Sequence, residues 1–301
     1  MKTTILAMKR HFALLVMLVP VVLYFLLFHY TPMAGLLLAF KDYTIREGFF
    51  GSSWNGLETF RRLFCAGDFV QVVRNTVTIS MLRLVFGFFS PLLLALLLNE
   101  VRCTGYRTAV QSIAALPNYF SWVILGGIYL MLLADQGPVN DMLASCGLPR
   151  IGFLTEGNWF IATLISTGIW QSVGYGAIIY LAALAGISPD LYEAADVDGA
   201  NRLQKVIHIT LPYLVPTVVT LFILSLGSIL NAGFDQIYNL YNPSVYDVSD
   251  IIDTFVLRRI QIMEFSIGTA AGLFKSVVGM FLIVTVNSVA RRLSKGEQGV
   301  Y

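Results

Sequence analysis

Few residues in this chain are suited to chemistry, and they fall into three groups. The first is a pair of cations inside otherwise apolar runs, Arg83 and Lys275. An ionisable group at the middle of a membrane span costs about a few kcal/mol unless it is paired. Each therefore points to an internal ion pair or a snorkelling side chain, or, less simply, to a basic wall facing an acidic solute. The second group is polar and aromatic: Asn118 and Tyr119 after Pro117, then Trp170, Gln171 and Tyr175, then Asn231, Asp235 and Gln236. Rings and amides of this kind serve helix packing, interfacial belts and interhelical hydrogen bonds. They also suit a polyhydroxylated ligand, whose C–H faces stack on rings and whose hydroxyls need donors and acceptors. The third is the polar stretch PDLYEAADVDGANRLQKVIHITLP, from Pro189 to Pro212.

Other chemistries lack their residues. A phosphate-binding loop needs Gly-Lys-Ser/Thr, and no lysine here follows a glycine. The sequence is therefore expected to have no ATPase site, no catalytic carboxylate cluster and no cofactor. His11, His29 and His208 lie far apart, and Cys65, Cys103 and Cys146 form no metal-ligand spacing, so no metal site is expected. A Cys65–Cys146 disulfide stays open. A net charge of +2 on 301 residues gives no reason to expect nucleic acid as a partner.

What positions these residues is an apolar chain. It is 56% hydrophobic and 13% charged, with a mean hydropathy of +0.72. Soluble domains carry about 25% charged residues. The class is an all-α polytopic membrane protein, one transmembrane domain over 1–301 with spans at about 12–30, 73–99, 108–133, 159–187, 213–233 and 265–290. The third is broken at Pro117-Asn118, and residues 31–71 read as a soluble segment. Glycines at 168, 174, 176 and 186 would let helices approach closely. Lys9-Arg10 and Arg291-Arg292 flank apolar runs directly, which puts both termini, and the 189–212 stretch, in the cytoplasm.

The 189–212 stretch reads as two short helices. Ser188-Pro189 fits a cap followed by proline at the first helical position, Leu191, Ala194 and Ala195 share a face, and Gly199 marks the bend. Glu193-Ala194-Ala195, Gly199 and Ile209-Thr210-Leu211-Pro212 at this spacing resemble the EAA loop of binding-protein-dependent ABC importer permeases. His29-Tyr30-Thr31-Pro32-Met33, Phe40-Lys41-Asp42-Tyr43, Leu116 to Trp122, Tyr241-Asn242-Pro243 through Asp253-Thr254, and Gly272-Leu273-Phe274 through Asn287 resemble the lipoprotein-associated polysaccharide permease group, covering about 12–293.

The resemblance implies a type I importer permease fold in a bacterial cell membrane, carrying oligosaccharides or polysaccharide fragments. It implies a second permease, two ATP-binding cassette subunits and an extracytoplasmic sugar-binding protein as partners, within membrane lipid. Glu193, Ala194, Ala195, Asp198, Gly199, Ile209, Leu211 and Pro212 would form the ATPase-coupling surface. Asn118, Tyr119, Trp170, Gln171, Tyr175, Asn231 and Asp235 would supply the substrate pathway, with Arg83 and Lys275 as a basic lining if the sugar is a uronate. A secondary transporter is the alternative, but it would carry a coupling-ion site at mid-membrane, and no acidic pair sits within a span. A membrane enzyme would need a catalytic constellation that is not found. Glu297→Cys in a cysteine-free background should resist an impermeant thiol reagent added outside sealed cells, whereas labelling from outside would invert the topology.

Overall fold

The computed structural model describes residues 12–227 and 229–293. Among them the regular structure is helical, with one isolated bridge between Lys41 and Trp54. The basic flanks Lys2, Lys9, Arg10 and Lys295 lie outside the described residues. The chain divides into two compact units, one of residues up to Ala66 with Val256–Phe274, the other of Gly67–Phe255 with Lys275 onward.

In the first unit, helix α1 (Phe12–Phe25) does not end where the sequence places the end of the first span. It runs on through a π turn at Leu26–Tyr30 and a 3-10 stretch at Ala34–Phe40. Proline has no N–H to donate to the preceding turn, and Pro32 sits at this junction. The Thr31 hydroxyl donates to the Leu26 carbonyl there, at 2.7 Å. The apolar Leu36–Ala39 then sustain the rod to Phe40, and Lys41 turns extended. Phe40 stacks on Trp54 at 5.8 Å, and the short helix α2 (Glu58–Cys65) buries Thr59 and Leu63. Ser266 accepts from the Tyr43 N–H at 3.0 Å and donates to the Lys41 carbonyl at 2.7 Å.

The second unit is built on two long helices, α3 (Asp68–Asn99) and α7 (Gly157–Leu184). Between them come α4 (Thr104–Ala115), a 3-10 turn at Leu116–Tyr119, α5 (Trp122–Leu132) and α6 (Pro138–Ser145). α4 and α5 meet at 101° across the Pro117 turn, where Ser121 caps α5 by accepting from the Ile124 N–H. After α7 come α8 (Pro189–Val197), α9 (Arg202–Lys205), a π turn at Val206–Thr210 and α10 (Leu211–Leu226). Then follow α11 (Phe234–Leu240), α12 (Ile252–Gln261), which counts with the first unit from Val256 on, and α13 (Phe265–Leu293), which counts with the second only from Lys275 on.

Close approach, where glycine allows it, sets the packing of α7. A Cβ on Gly174 would lie 2.1 Å from the Ala114 carbonyl of α4, and one on Gly176 would lie 2.9 Å from the Pro91 ring of α3. Two apolar clusters result. One gathers Ile79, Phe160, Leu164, Ile237, Leu240 and Ile251, and the other Ala95, Leu98, Ala177, Leu181, Leu184 and Leu214. Along both α3 and α7 the first cluster lies N-terminal to the second, and the residues between them are free to line something else.

Among the described residues, four helices are long and apolar enough to cross a membrane: Val16–Phe40, Asp68–Asn99, Arg202–Leu226 and Phe265–Thr285. The number rises to six if each of two bent pairs, α4 with α5 and α7 with α8, makes one span. The helix expected to reach residue 233 ends at Leu226, and helical structure restarts as α11 after Gly233, which takes a left-handed conformation (φ +83°). Asn231 and Asp235 therefore lie beyond that helix. Gly174→Ala should force α4 and α7 apart and lower the stability of the purified protein by about 1–3 kcal/mol. Gly127→Ala, with nothing near its Cβ, is the control, and thermal unfolding in detergent measures both.

Candidate functional site

The gap between the two clusters is a cavity of about 440 Å³. α3 presents Ser80, Arg83, Leu84, Gly87, Phe88 and Pro91 to it. These positions recur at three- and four-residue intervals, as one helix face must. On α7, Gly168, Ser172 and Gly176 stand four residues apart on the same wall, beside Ile165, Ile169 and Gln171. Trp122 of α5 and Leu221 and Ser225 of α10 contribute, and Asn231 comes from the connector that follows α10.

Arg83 is the centre of the polar arrangement. Its Nη1 donates to the Ala232 carbonyl at 3.1 Å and its Nη2 donates to Gln236 Oε1. Gln236 is fully buried and donates in turn to the Leu164 carbonyl (2.9 Å) and to Thr167 Oγ1 (2.7 Å). One guanidinium thus ties α3 to the start of α11, and Gln236 ties α11 to α7. Two missing side chains leave the guanidinium room in this position. A Cβ at Gly233 would fall 1.5 Å from Arg83 Nη1, and one at Gly168 would lie 3.1 Å from Nη2. Lys275 is placed differently: both oxygens of Asp253 accept from its Nζ, at 2.6 and 2.7 Å. The ion pair expected as one account of these cations holds for Lys275. Arg83 has no carboxylate partner among the described residues.

The expected pathway residues scatter. Gln171 and Asn231 meet in the cavity. Asn118 and Tyr119 sit on the Pro117 turn, where the Tyr119 ring meets Tyr175 edge-on at 6.5 Å. Trp170 packs against Tyr129 in a separate shallow depression with Leu125 and Ile128. Asp235 is exposed in the first turn of α11. Ser80, Trp122, Ser172 and Ser225 of the wall escaped the reading. The four-residue spacing of Gly168, Ser172 and Gly176 was the available signal for the α7 face.

The 189–212 stretch folds as two capped helices with an exposed outer surface. At the end of α8, the Ala200 N–H donates to the Ala195 carbonyl (2.9 Å) and the Gly199 N–H to the Asp196 carbonyl (3.1 Å). This paired closure needs a left-handed residue, and Gly199 has φ +74°. α9 opens with a capping box: Asn201 Oδ1 accepts from the Gln204 N–H (3.0 Å), and Gln204 Oε1 accepts from the Asn201 N–H (2.7 Å). Lys205 pairs with Asp196 across the bend, and the Tyr192 hydroxyl meets Thr210 Oγ1 at 3.0 Å.

Glu193, Ala194 and Asp198 are exposed, Ala195 is half-buried, and neighbouring Val197 and Leu203 are 89% and 67% exposed. Ile209 packs on the second apolar cluster, and Leu211-Pro212 opens α10. Cys65, Cys103 and Cys146 are exposed free thiols, and among the described residues no three metal-ligating side chains gather.

Comparison with known proteins follows the same lines. Residues 10–297 match the family model described as binding-protein-dependent transport system inner membrane component. Protein LplB of Bacillus subtilis (strain 168) is 42% identical over 297 residues, which are 98% of this chain and 93% of that one. The polygalacturonan/rhamnogalacturonan transport system permease protein YteP of the same organism is 41% identical, covering 96% of this chain and 90% of its own. Among solved structures, a bacterial ABC transporter involved in the import of the acidic polysaccharide alginate has a chain 43% identical to this one. The two superpose with a TM-score of 0.88 over 95% of this chain and 97% of that one.

Leaving a buried group unsatisfied costs more than removing both partners. Gln236→Leu alone should therefore destabilise the protein by about 1–3 kcal/mol. The double substitution Arg83→Leu with Gln236→Leu should recover part of that loss in thermal unfolding of the purified protein.

Proposed function

The chain belongs to the family of binding-protein-dependent transport system inner membrane components, and from that premise we propose how its parts divide the work. It is a permease subunit of a carbohydrate ABC importer, one component of a multi-part transport system. Its cargo is an oligosaccharide or polysaccharide fragment, a reading supported by the polysaccharide systems to which its relatives belong. It spans the membrane six times, each bent pair counting as one span, with both termini in the cytoplasm. It works beside a second, different permease, two ATPase subunits and an extracytoplasmic sugar-binding protein.

Glu193, Ala194, Ala195, Asp198 and Gly199, with Ile209, Leu211 and Pro212 behind them, make the coupling surface. The observation that carries this is an exposed apolar edge, Leu191, Val197 and Leu203, presented beside Glu193 where α8 closes at Gly199 and the continuous Arg202–Leu226 helix opens with a capping box. Apolar side chains exposed on a stiff support suit a partner groove. Glu193 has no partner of its own among the described residues. A charged hydrogen bond from it would orient the docked helices. The sugar path runs through the cavity that Gln171 and Asn231 share, and Asn118, Tyr119, Trp170, Tyr175 and Asp235 serve it at its approaches or on the second permease.

The mechanism follows from a remote motor. A loaded binding protein docks outside. ATP draws the two ATPases together, α8 and α9 move with them, and Tyr192 and Ile209 pass the movement to α10 and the second apolar cluster. The cavity between the clusters then changes the side to which it opens, and hydrolysis resets it. This is a bistable element biased from two sites. Glu193→Lys or Gly199→Asp should insert normally yet retain less ATPase on purification and transport less. Exposed substitutions on a mere connector change stability by only about 0.5 kcal/mol, so full ATPase retention with normal sugar-stimulated hydrolysis would refute the coupling role.

A further inference from the structure

Arg83 carries a charge that the described residues do not neutralise. Its two hydrogen bonds go to neutral acceptors, the Ala232 carbonyl and Gln236 Oε1. Lys275 in α13 is matched by both oxygens of one carboxylate, so the chain does neutralise a span cation where packing alone is at stake. A guanidinium has five N–H donors in a rigid fork that matches a carboxylate. Three remain after the two bonds here, and the side chain forms part of the cavity wall.

A second observation points the same way. Ser80 is 4% exposed, lies one turn before Arg83 on the same wall, and its hydroxyl has no hydrogen-bond partner. Gln171, Ser172, Asn231 and the Trp122 ring surround the same space. The site therefore pairs an unneutralised cation with an orphan hydroxyl, and amides with an aromatic face. A neutral sugar makes use of the hydroxyl, the amides and the ring, but not of the charge.

We propose that Arg83 selects the cargo by charge: it receives the carboxylate of one unit of a uronate-bearing oligosaccharide, and the Ser80 hydroxyl donates to the same group. The proposal rests on the carbohydrate-importer reading and adds to it the charge class of the sugar and the residue that reads it. Gln236 and Ala232 hold the guanidinium in place until the carboxylate arrives. Gly168 and Gly233 leave it the room it occupies.

The test uses the assembled importer, with its second permease and ATPases, in lipid nanodiscs. Calorimetry compares trigalacturonate with its carboxyl-reduced, neutral counterpart. The wild type should prefer the uronate by about ten-fold or more, the scale of a charge-assisted contact. The preference should shrink with rising ionic strength, collapse in Arg83→Gln and return in part in Arg83→Lys. The salt series on the wild type keeps the test decisive even where Arg83→Gln fails to assemble. A wild type that binds both sugars equally overturns the proposal and leaves the carbohydrate reading standing. Equal loss of both sugars in Arg83→Gln, with no recovery in Arg83→Lys, reduces the residue to a structural tie and also overturns it. A complex that retains its ATPases but binds neither sugar overturns the cargo reading itself.

Discussion

A guanidinium cannot rest among apolar helices without acceptors for its N–H groups, and much of the second unit is arranged around meeting that need for Arg83. The acceptors come from a place where regular structure stops. Only because α10 ends at Leu226 is the Ala232 carbonyl free of a helical bond and turned towards α3. Only because α11 starts at once after Gly233 is Gln236 carried back between α3 and α7. In an apolar medium every backbone group needs a partner. The break in the chain and the cation in the span therefore answer each other: the loose carbonyl gains a donor and the charge gains an acceptor.

The same logic extends outward. Gln236 spends its amide on the Leu164 carbonyl and the Thr167 hydroxyl, while Asn75 donates to the Asp247 and Asp250 carbonyls (3.0 and 3.2 Å) and Thr76 accepts from the Ile252 N–H (3.0 Å). Three buried polar side chains thus hold the irregular segment after α10 against the two long helices. Apolar packing supplies the bulk of the cohesion through the two clusters. The polar ties decide where the irregular chain lies, and hence where the cavity between the clusters opens.

The sequence announces some of this plainly and conceals the rest for physical reasons. The first helix of 189–212 and its bend are legible because their signals are local: a proline at the first turn, a glycine at the bend, a cap just beyond it. The break between α4 and α5 is legible for the same reason, since Pro117 cannot continue a ladder. That the second helix of 189–212 runs on unbroken from Arg202 to Leu226 is not. The end of α10 is hidden, because Ile229, Leu230 and Ala232 prolong the apolar composition past the last helical turn, and a left-handed glycine looks like any other. Membership of the cavity is hidden more deeply. Trp170 and Gln171 are neighbours, yet about 100° apart around a helix, and only the pairing of α7 with α3 decides that the amide faces the cavity and the ring does not.

Gly233 is constrained twice, and the two constraints are not equivalent. Its left-handed backbone asks for glycine whatever lies nearby, and its missing Cβ is also the space that the Arg83 guanidinium fills. Removing the arginine would lift only the second. The first constraint is hard and the second soft, because the atom a Cβ would meet is the far end of a flexible side chain, which can swing aside. Glycine at this turn is therefore held by the backbone whatever stands at position 83, and the cation is the part that can be revised around it.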